Sequence, residues 1–269
     1  MEAFQFLIVP FVGCVVLILI HAYFGIHILE RGVIFLDLSL AQFIAVGIAV
    51  SCFTGDVPEH RFFYAAAFAV LGASILSFSK QIARVVNIEA FIGVLYVFSF
   101  AASILFLDKS AHGTEEFKSI LNGNILWMTR RDLLMASLLY AGIGAFHLIF
   151  WSKFLALSYE GGKGFLWEFL FFLSFAFVLV SSVQIAGILQ VFSFLVIPAL
   201  IGRLYNRNPV QTLLIGWGIG IAVCVIGVSL SYKLDVPTAP LIVASLSLIF
   251  FILLGLKARK SGAEGEKKR

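Results

Sequence analysis

The apolar residues of this chain fall into blocks long enough to cross a bilayer, and that property alone excludes most folds. A spanning helix needs about 20 mostly apolar residues to match roughly 30 Å of hydrocarbon. Such blocks lie near 4–28, 33–53, 61–80, 89–108, 132–152, 165–182, 184–200, 210–231 and 237–256. Backbone in lipid must satisfy its own hydrogen bonds, so blocks of this length can only be helices. The connections are short, and 269 residues leave no room for a separate soluble domain. Charged residues make up 13% of the chain, against about 25% in soluble domains. The expected architecture is therefore all-α, a polytopic bundle of eight or nine spans over residues 1–256 with a basic tail at 257–269. The count hinges on 165–182 and 184–200, which are parted only by Ser181, Ser182 and Gln184. Either member of that pair is a candidate for a short, broken or re-entrant helix.

Orientation follows from Lys and Arg, which accumulate on cytoplasmic segments. With the tail inside, cytoplasmic segments hold Arg31, Lys80, Arg84, Lys153, Lys163, Arg203, Arg207 and the tail cations Lys257, Arg259, Lys260, Lys267, Lys268 and Arg269. The opposite side holds Arg61, Lys109, Lys118, Arg130, Arg131 and Lys233, 6 against 13. The expectation is a multi-pass membrane protein with a cytoplasmic C-terminus. The net charge of +4 resides largely in that tail, so nucleic acid is not an expected partner. The first block starts almost at Met1 without a basic leader or a small-residue cleavage site, so no cleavable signal is expected. Cys14, Cys52 and Cys224 all sit inside apolar blocks without ligand spacing and read as small buried hydrophobes. The longest connection, 109–131, carries the polar run Lys109-Ser110-Ala111-His112-Gly113-Thr114-Glu115-Glu116. It reads either as a docking segment for an extracytoplasmic partner or as a solvated connector.

Polar residues inside spans locate function, because a charge at mid-span costs about 2.5–3.5 kcal/mol on insertion scales. Asp37 leads, with Ser39 and Gln42 within about one turn; an acid among amide and hydroxyl oxygens suits a hard cation. Its structural reading is a carboxylate neutralised by Arg31 or by a proton. Glu89 opens the fourth span, where an acid also complements the helix dipole. Gln184 and Gln190 flank Gly187, with Pro198 closing the block; interhelical hydrogen bonding is the main reading for both glutamines. His21, His27 and His147 lie within or beside spans, none with a second ligand at metal-binding spacing. Gly216, Gly218 and Gly220, with Gly47, Gly93 and Gly187, are helix-packing positions. The chain lacks a G-x-x-x-x-G-K-[ST] phosphate loop and the H-E-x-x-H and G-x-S-x-G motifs, so neither ATP binding of that kind nor hydrolase chemistry is expected.

Four stretches, in order, carry a resemblance. "GIHILERGVIFLDLSLAQFIAVGIAV" (25–50) places a glycine, an arginine and an aspartate ahead of another glycine. "EAFIGVLYVFSFAASILFL" (89–107) is followed by "LNGNIL" (121–126). "VQIAGILQVFSFLVIPALIGRL" (183–204) is the most specific, and "SYKLDVPTAPLIV" (231–243) closes the series. Together they resemble the permease subunit of the metal-ion ABC transporters that import zinc, manganese or iron. The resemblance implies a homodimer with the ion path on its two-fold axis, an extracytoplasmic metal-binding protein, and a separate cytoplasmic ATP-binding subunit, so that this chain binds no cofactor itself. It also places the turn 202–209, with Arg203, Arg207 and Pro198 nearby, where such permeases meet the ATPase.

The chain departs from the pattern. Ala41 and Gln42 stand where a histidine usually follows the aspartate, Glu89 stands where an aspartate is common, and Ala239-Pro240 replaces a glycine. Loss of the imidazole leaves oxygen ligands, so zinc, manganese and iron all stay open. The expected pathway residues are Asp37, Gln42, Glu89, Ser39 and Gln184, with Asp37 and Glu89 as transient metal ligands beside a wet central passage. The alternative is an ATPase-independent transporter using the same acids as proton relays.

Overall fold

A computed structural model describes residues 2–33, 35–55, 57, 60–110, 112–160 and 164–266. Lys163, Lys267, Lys268 and Arg269 of the charge bias, and Ala111 of the polar run, lie outside the described residues. Every long apolar block becomes a helix: α1 (Glu2–Arg31), α2 (Leu36–Thr54), α3 (Arg61–Ser77), the single turn α4 (Ser79–Ile82), α5 (Ile88–Asp108), α6 (Gly113–Asn122), α7 (Arg130–Ile149), α8 (Trp151–Tyr159), α9 (Phe165–Tyr205), α10 (Pro209–Leu234) and α11 (Thr238–Glu266). Seven of these are long and apolar enough to cross a membrane, and α3 is a shorter apolar helix of 17 residues. The expected boundary at 256 leaves no mark, because α11 runs through it to Glu266.

Local chemistry sets the helix ends. Asn87 caps α5 by accepting the Ala90 N–H, and Asn208 caps α10 by accepting from Val210 and Gln211. Thr129 and Asp132 form a capping box at the start of α7, which satisfies first-turn donors that would otherwise be orphaned. α2 ends at Gly55 in the left-handed region, φ 66°.

The doubtful pair forms α9, 41 residues in two helical limbs that meet at Gly187, whose φ of 73° and ψ of 163° are not helical. Contacts along α1 show what this interruption does. Arg31 stacks over Phe171, Phe24 packs on Phe175 and His21 bonds Ser182, so 165–186 runs antiparallel to α1. Beyond Gly187 the order inverts: Gln190 reaches Cys14, Leu195 abuts Gly25 and Arg203 pairs with Glu30. The two limbs are therefore a hairpin, and both its ends lie at the Arg31 end of the bundle. Its tip lies at the other end, here the Gly123 end.

At that tip the connection 109–131 is neither extended nor a mere solvated link. It folds as α6 and a 3-10 turn, Ile125–Trp127, with Ile120 and Ile125 buried. Asn124 donates its N–H to the Ile185 carbonyl at 3.2 Å, and Arg61 Nη1 holds Glu116 Oε1 at 2.8 Å. A Cβ on Gly187 would strike the backbone of Gly123 and Asn122, so only two glycines let the segments approach this closely. Small residues do the same work elsewhere: Gly47 sits on Tyr64–Ala65, Gly216 on the Pro198 carbonyl and Gly220 on Ile18. Gly93 differs, since a Cβ there would meet nothing within 4 Å.

Candidate functional site

Most helices of the bundle carry buried polar residues, and those around α1 and α2 fall into two kinds. The first kind is bonded within the protein, on both ring nitrogens for His21 and His147, and in part for His27 and Arg31, whose Nε2 and Nη2 have no partner. His21 Nδ1 lies 2.7 Å from the Leu17 carbonyl and Nε2 lies 3.1 Å from Ser182 Oγ. His147 Nδ1 meets Tyr23 Oη at 2.9 Å and its Nε2 meets Ser174 Oγ at 2.7 Å. With both ring nitrogens engaged, neither imidazole has a lone pair free for a metal. His27 Nδ1 meets Ser158 Oγ at 3.0 Å. Arg31 donates Nε to the same hydroxyl at 3.0 Å and lays its guanidinium 4.0 Å from the centroid of Phe171. It therefore does not neutralise Asp37. These polar contacts tie α1 to α7, α8 and the first limb of α9, which is how polar groups hold helices together in an apolar medium.

The second kind lacks partners. Asp37, in the first turn of α2, is 2% exposed and its Oδ1 has no hydrogen-bond partner. Ser39, fully buried one turn position away, leaves its Oγ unpartnered too. Gln42 is buried on the same helix. An unpaired buried polar group costs about 1–3 kcal/mol, more when charged, so a fold that keeps two in the first turn of one helix bears a cost that packing alone does not require.

Glu89 opens α5 at the same end of the bundle as Asp37, since α2 follows the Arg31 turn and α5 follows α4. Its side chain is exposed, on the surface of the chain, and Asp37 is enclosed. Among the described residues no group of three His, Cys, Asp or Glu is placed to hold a metal. Gln184 stands apart, near the hairpin tip and exposed. It borders a cavity of about 430 Å³ with Asn124, Met128 and Asp132, and a smaller one of about 170 Å³ beside Arg61 and Glu116. Asp37 lines neither of these.

The Arg31 end carries two further ion pairs that spacing could not reveal. Lys80 Nζ lies 2.6 Å from Glu168 Oε1, and Arg203 Nη2 lies 2.6 Å from Glu30 Oε2. Arg203 also donates to the Arg207 carbonyl at 3.1 Å. It thereby shapes the turn before α10 and leaves the Arg207 side chain exposed. Pro198, grouped with these arginines on sequence, is buried against α10 and faces no surface.

Fold and buried polar chemistry thus define a multi-span helical membrane protein. The profile of the ABC 3 transport family, whose members are membrane permease subunits of ABC transporters, matches residues 3–257, and the chain belongs to that family. Over 253 residues it is 27% identical to the manganese transport system membrane protein MntC of Listeria monocytogenes, covering 91% of this chain and 88% of that one. It is 24% identical to the manganese import system permease protein ScaB of Streptococcus gordonii, over 93% and 90% of the two chains. In three dimensions it is similar to a chain of PsaBC from Streptococcus pneumoniae in complex with Fab, with TM-score 0.77, 22% identity and coverage of 94% and 92%.

Proposed function

We propose that this chain is the membrane-spanning subunit of an importer for a divalent transition metal ion, manganese, zinc or iron. Family membership over residues 3–257, with relatives named for manganese transport, carries the reading. A separate cytoplasmic ATP-binding subunit drives the cycle, and an extracytoplasmic metal-binding protein delivers the ion to a homodimer of permeases. The chain itself then binds no cofactor. With the hairpin limbs counted separately and α3 included, nine helices cross the membrane, the Arg31 end and the C-terminus facing the cytoplasm. The basic residues Arg31, Lys80, Arg84, Arg203 and Arg207 support that orientation.

Asp37 is the acidic station on the path. Its orphaned Oδ1 and the neighbouring Ser39 hydroxyl supply hard oxygen donors, which suit manganese better than an all-nitrogen or sulfur set. Release into the cytoplasm requires weak binding, and an enclosed carboxylate with few partners meets that condition. Glu89, Gln42 and Gln184 are secondary positions along the same route. Helix motion during the ATP cycle would uncover Asp37 from its seat among α2, α3, α5 and α9.

The test is uptake of radiolabelled manganese and zinc by cells carrying Asp37→Asn at unchanged membrane abundance. Loss of uptake is expected, and normal uptake of both metals removes Asp37 from the path. Co-purification of an ATPase, lost on Arg207→Glu, would locate the coupling turn. Uptake that continues without any ATPase subunit would refute the reading as a whole.

A further inference from the structure

The three cysteines have no spacing that pairs them, yet the fold brings two together. Gly220 of α10 sits on Ile18 of α1, and Trp217 Nε1 donates to the Leu19 carbonyl at 3.0 Å. The helices therefore run antiparallel in register, and one turn beyond that contact Cys14 meets Cys224. That register sets the two thiols on facing turns of α1 and α10, and both side chains are fully buried. A third helix closes the junction: Gln190 of α9, itself fully buried, directs Nε2 at Cys14 Sγ at 3.7 Å and leaves Oε1 without a partner.

A third soft atom lies near this junction. Met128 Sδ packs directly on Gly13, the residue before Cys14; a Cβ there would lie 2.5 Å from the sulfur. Met128 also lines the cavity of about 430 Å³ beside Asn124, Asp132 and Gln184 at the Gly123 end. A polar antechamber thus reaches a thioether that packs on Gly13, the residue before one of the two buried thiols. Cys52, on α2, takes no part in this junction.

We infer that Cys14, Cys224 and Gln190 form a binding site for a soft monovalent cation of the copper(I) and silver(I) class, separate from the acidic station at Asp37. Thiolate and thioether donors select such ions, whereas carboxylate and carbonyl sets select manganese and magnesium. Charge decides the valence. A dry site among three helices tolerates little net charge. One monovalent ion displacing one thiol proton to solvent forms one sulfur–metal bond and leaves the site neutral. The second thiol and the Gln190 carbonyl then complete it as neutral donors.

The inference does not depend on the transport reading. It is tested on the purified full-length protein in detergent with silver(I) nitrate in chloride-free buffer. The wild type and Cys52→Ser are expected to bind one silver ion per chain more tightly than Cys14→Ser or Cys224→Ser by at least tenfold. Gln190→Leu, which retains both thiols, is expected to bind severalfold more weakly than the wild type. Sulfur scatterers in the X-ray absorption spectrum of the copper(I)-loaded protein would support the donor set. Loss of silver binding in Cys52→Ser, or equal affinity across all variants, overturns the site. Should the serine variants fail to fold, the wild type still decides. Silver is expected to shield both Cys14 and Cys224 from maleimide in a mass-mapped alkylation under denaturing conditions, and shielding of neither overturns the site. A Cys14–Cys224 disulfide in protein isolated under reducing conditions overturns it as well.

Discussion

Replacing Gly187 with alanine tests whether the hairpin in α9 is held by backbone-to-backbone contact. Gly187 adopts φ 73° and ψ 163°, a region reserved almost wholly for glycine, where another residue stores about 1–3 kcal/mol of strain. The added methyl would also collide with the amide of Gly123 and the carbonyl carbon of Asn122, and would lie 2.6 Å from the Leu121 carbonyl oxygen. These are backbone atoms that cannot rotate aside, and overfilling a packed space costs about 1–3 kcal/mol more. Together the substitution is expected to destabilise by about 2–6 kcal/mol. The measurement is reversible unfolding in mixed micelles titrated with a denaturing detergent. Gly93→Ala is the matched control: its methyl meets nothing within 4 Å, so it should be neutral or gain about 0.5–1 kcal/mol from helix propensity. Gly123→Ala should behave like Gly187→Ala, and the double variant should cost less than the sum, because both methyls compete for one contact. Gly187→Ala within about 0.5 kcal/mol of the wild type, a typical surface effect, would refute the close approach.

Other outcomes follow from the polar contacts. Asp37→Asn should leave the fold at least as stable as the wild type, because it removes the charge from a buried carboxyl with an unpartnered oxygen; a marked fall in detergent stability would assign Asp37 a structural partner. Lys80→Ala leaves Glu168, 7% exposed at its side chain, without its ion-pair partner and should cost about 1–3 kcal/mol in the same unfolding assay, with Lys80→Ala/Glu168→Gln recovering part of it. Arg203→Glu sets two acids face to face at Glu30; it should cost about 1 kcal/mol or more and be rescued by Glu30→Arg in a reciprocal exchange. Tyr23→Phe removes the hydroxyl facing His147 and should destabilise by about 1 kcal/mol without changing metal uptake, which would separate this hydrogen-bonded cluster from the path.

Most of the architecture was readable from residue order. Helix positions follow hydropathy closely: 33–53 against Leu36–Thr54, 89–108 against Ile88–Asp108, 210–231 against Pro209–Leu234. Reading fell short where a segment's structure depends on what it lies against. The polar run at 109–131 has the composition of a connector, yet folds as α6 because Ile120 and its neighbours find cover at the hairpin tip. The single turn α4 and the nine-residue α8 are too short for hydropathy to mark as separate helices. Pro198 looked like a loop boundary and is a buried contact for Gly216.

Residue order is enough to define a multi-span helical membrane protein, to locate its helices and to single out the acid that is costly to keep in them. Those properties are local, because lipid rewards each stretch of about 20 apolar residues independently of the others. How the polar groups are partnered depends on the packing of the helices. Packing occupies both nitrogens of His21 and His147, sends Arg31 to Ser158 and Phe171 instead of Asp37, and sets the free thiols of Cys14 and Cys224 on facing turns. It also turns α9 back on itself against Gly123. Residues that far apart in the chain meet only through the packing of whole helices, and no periodicity along one helix records which neighbour it will face.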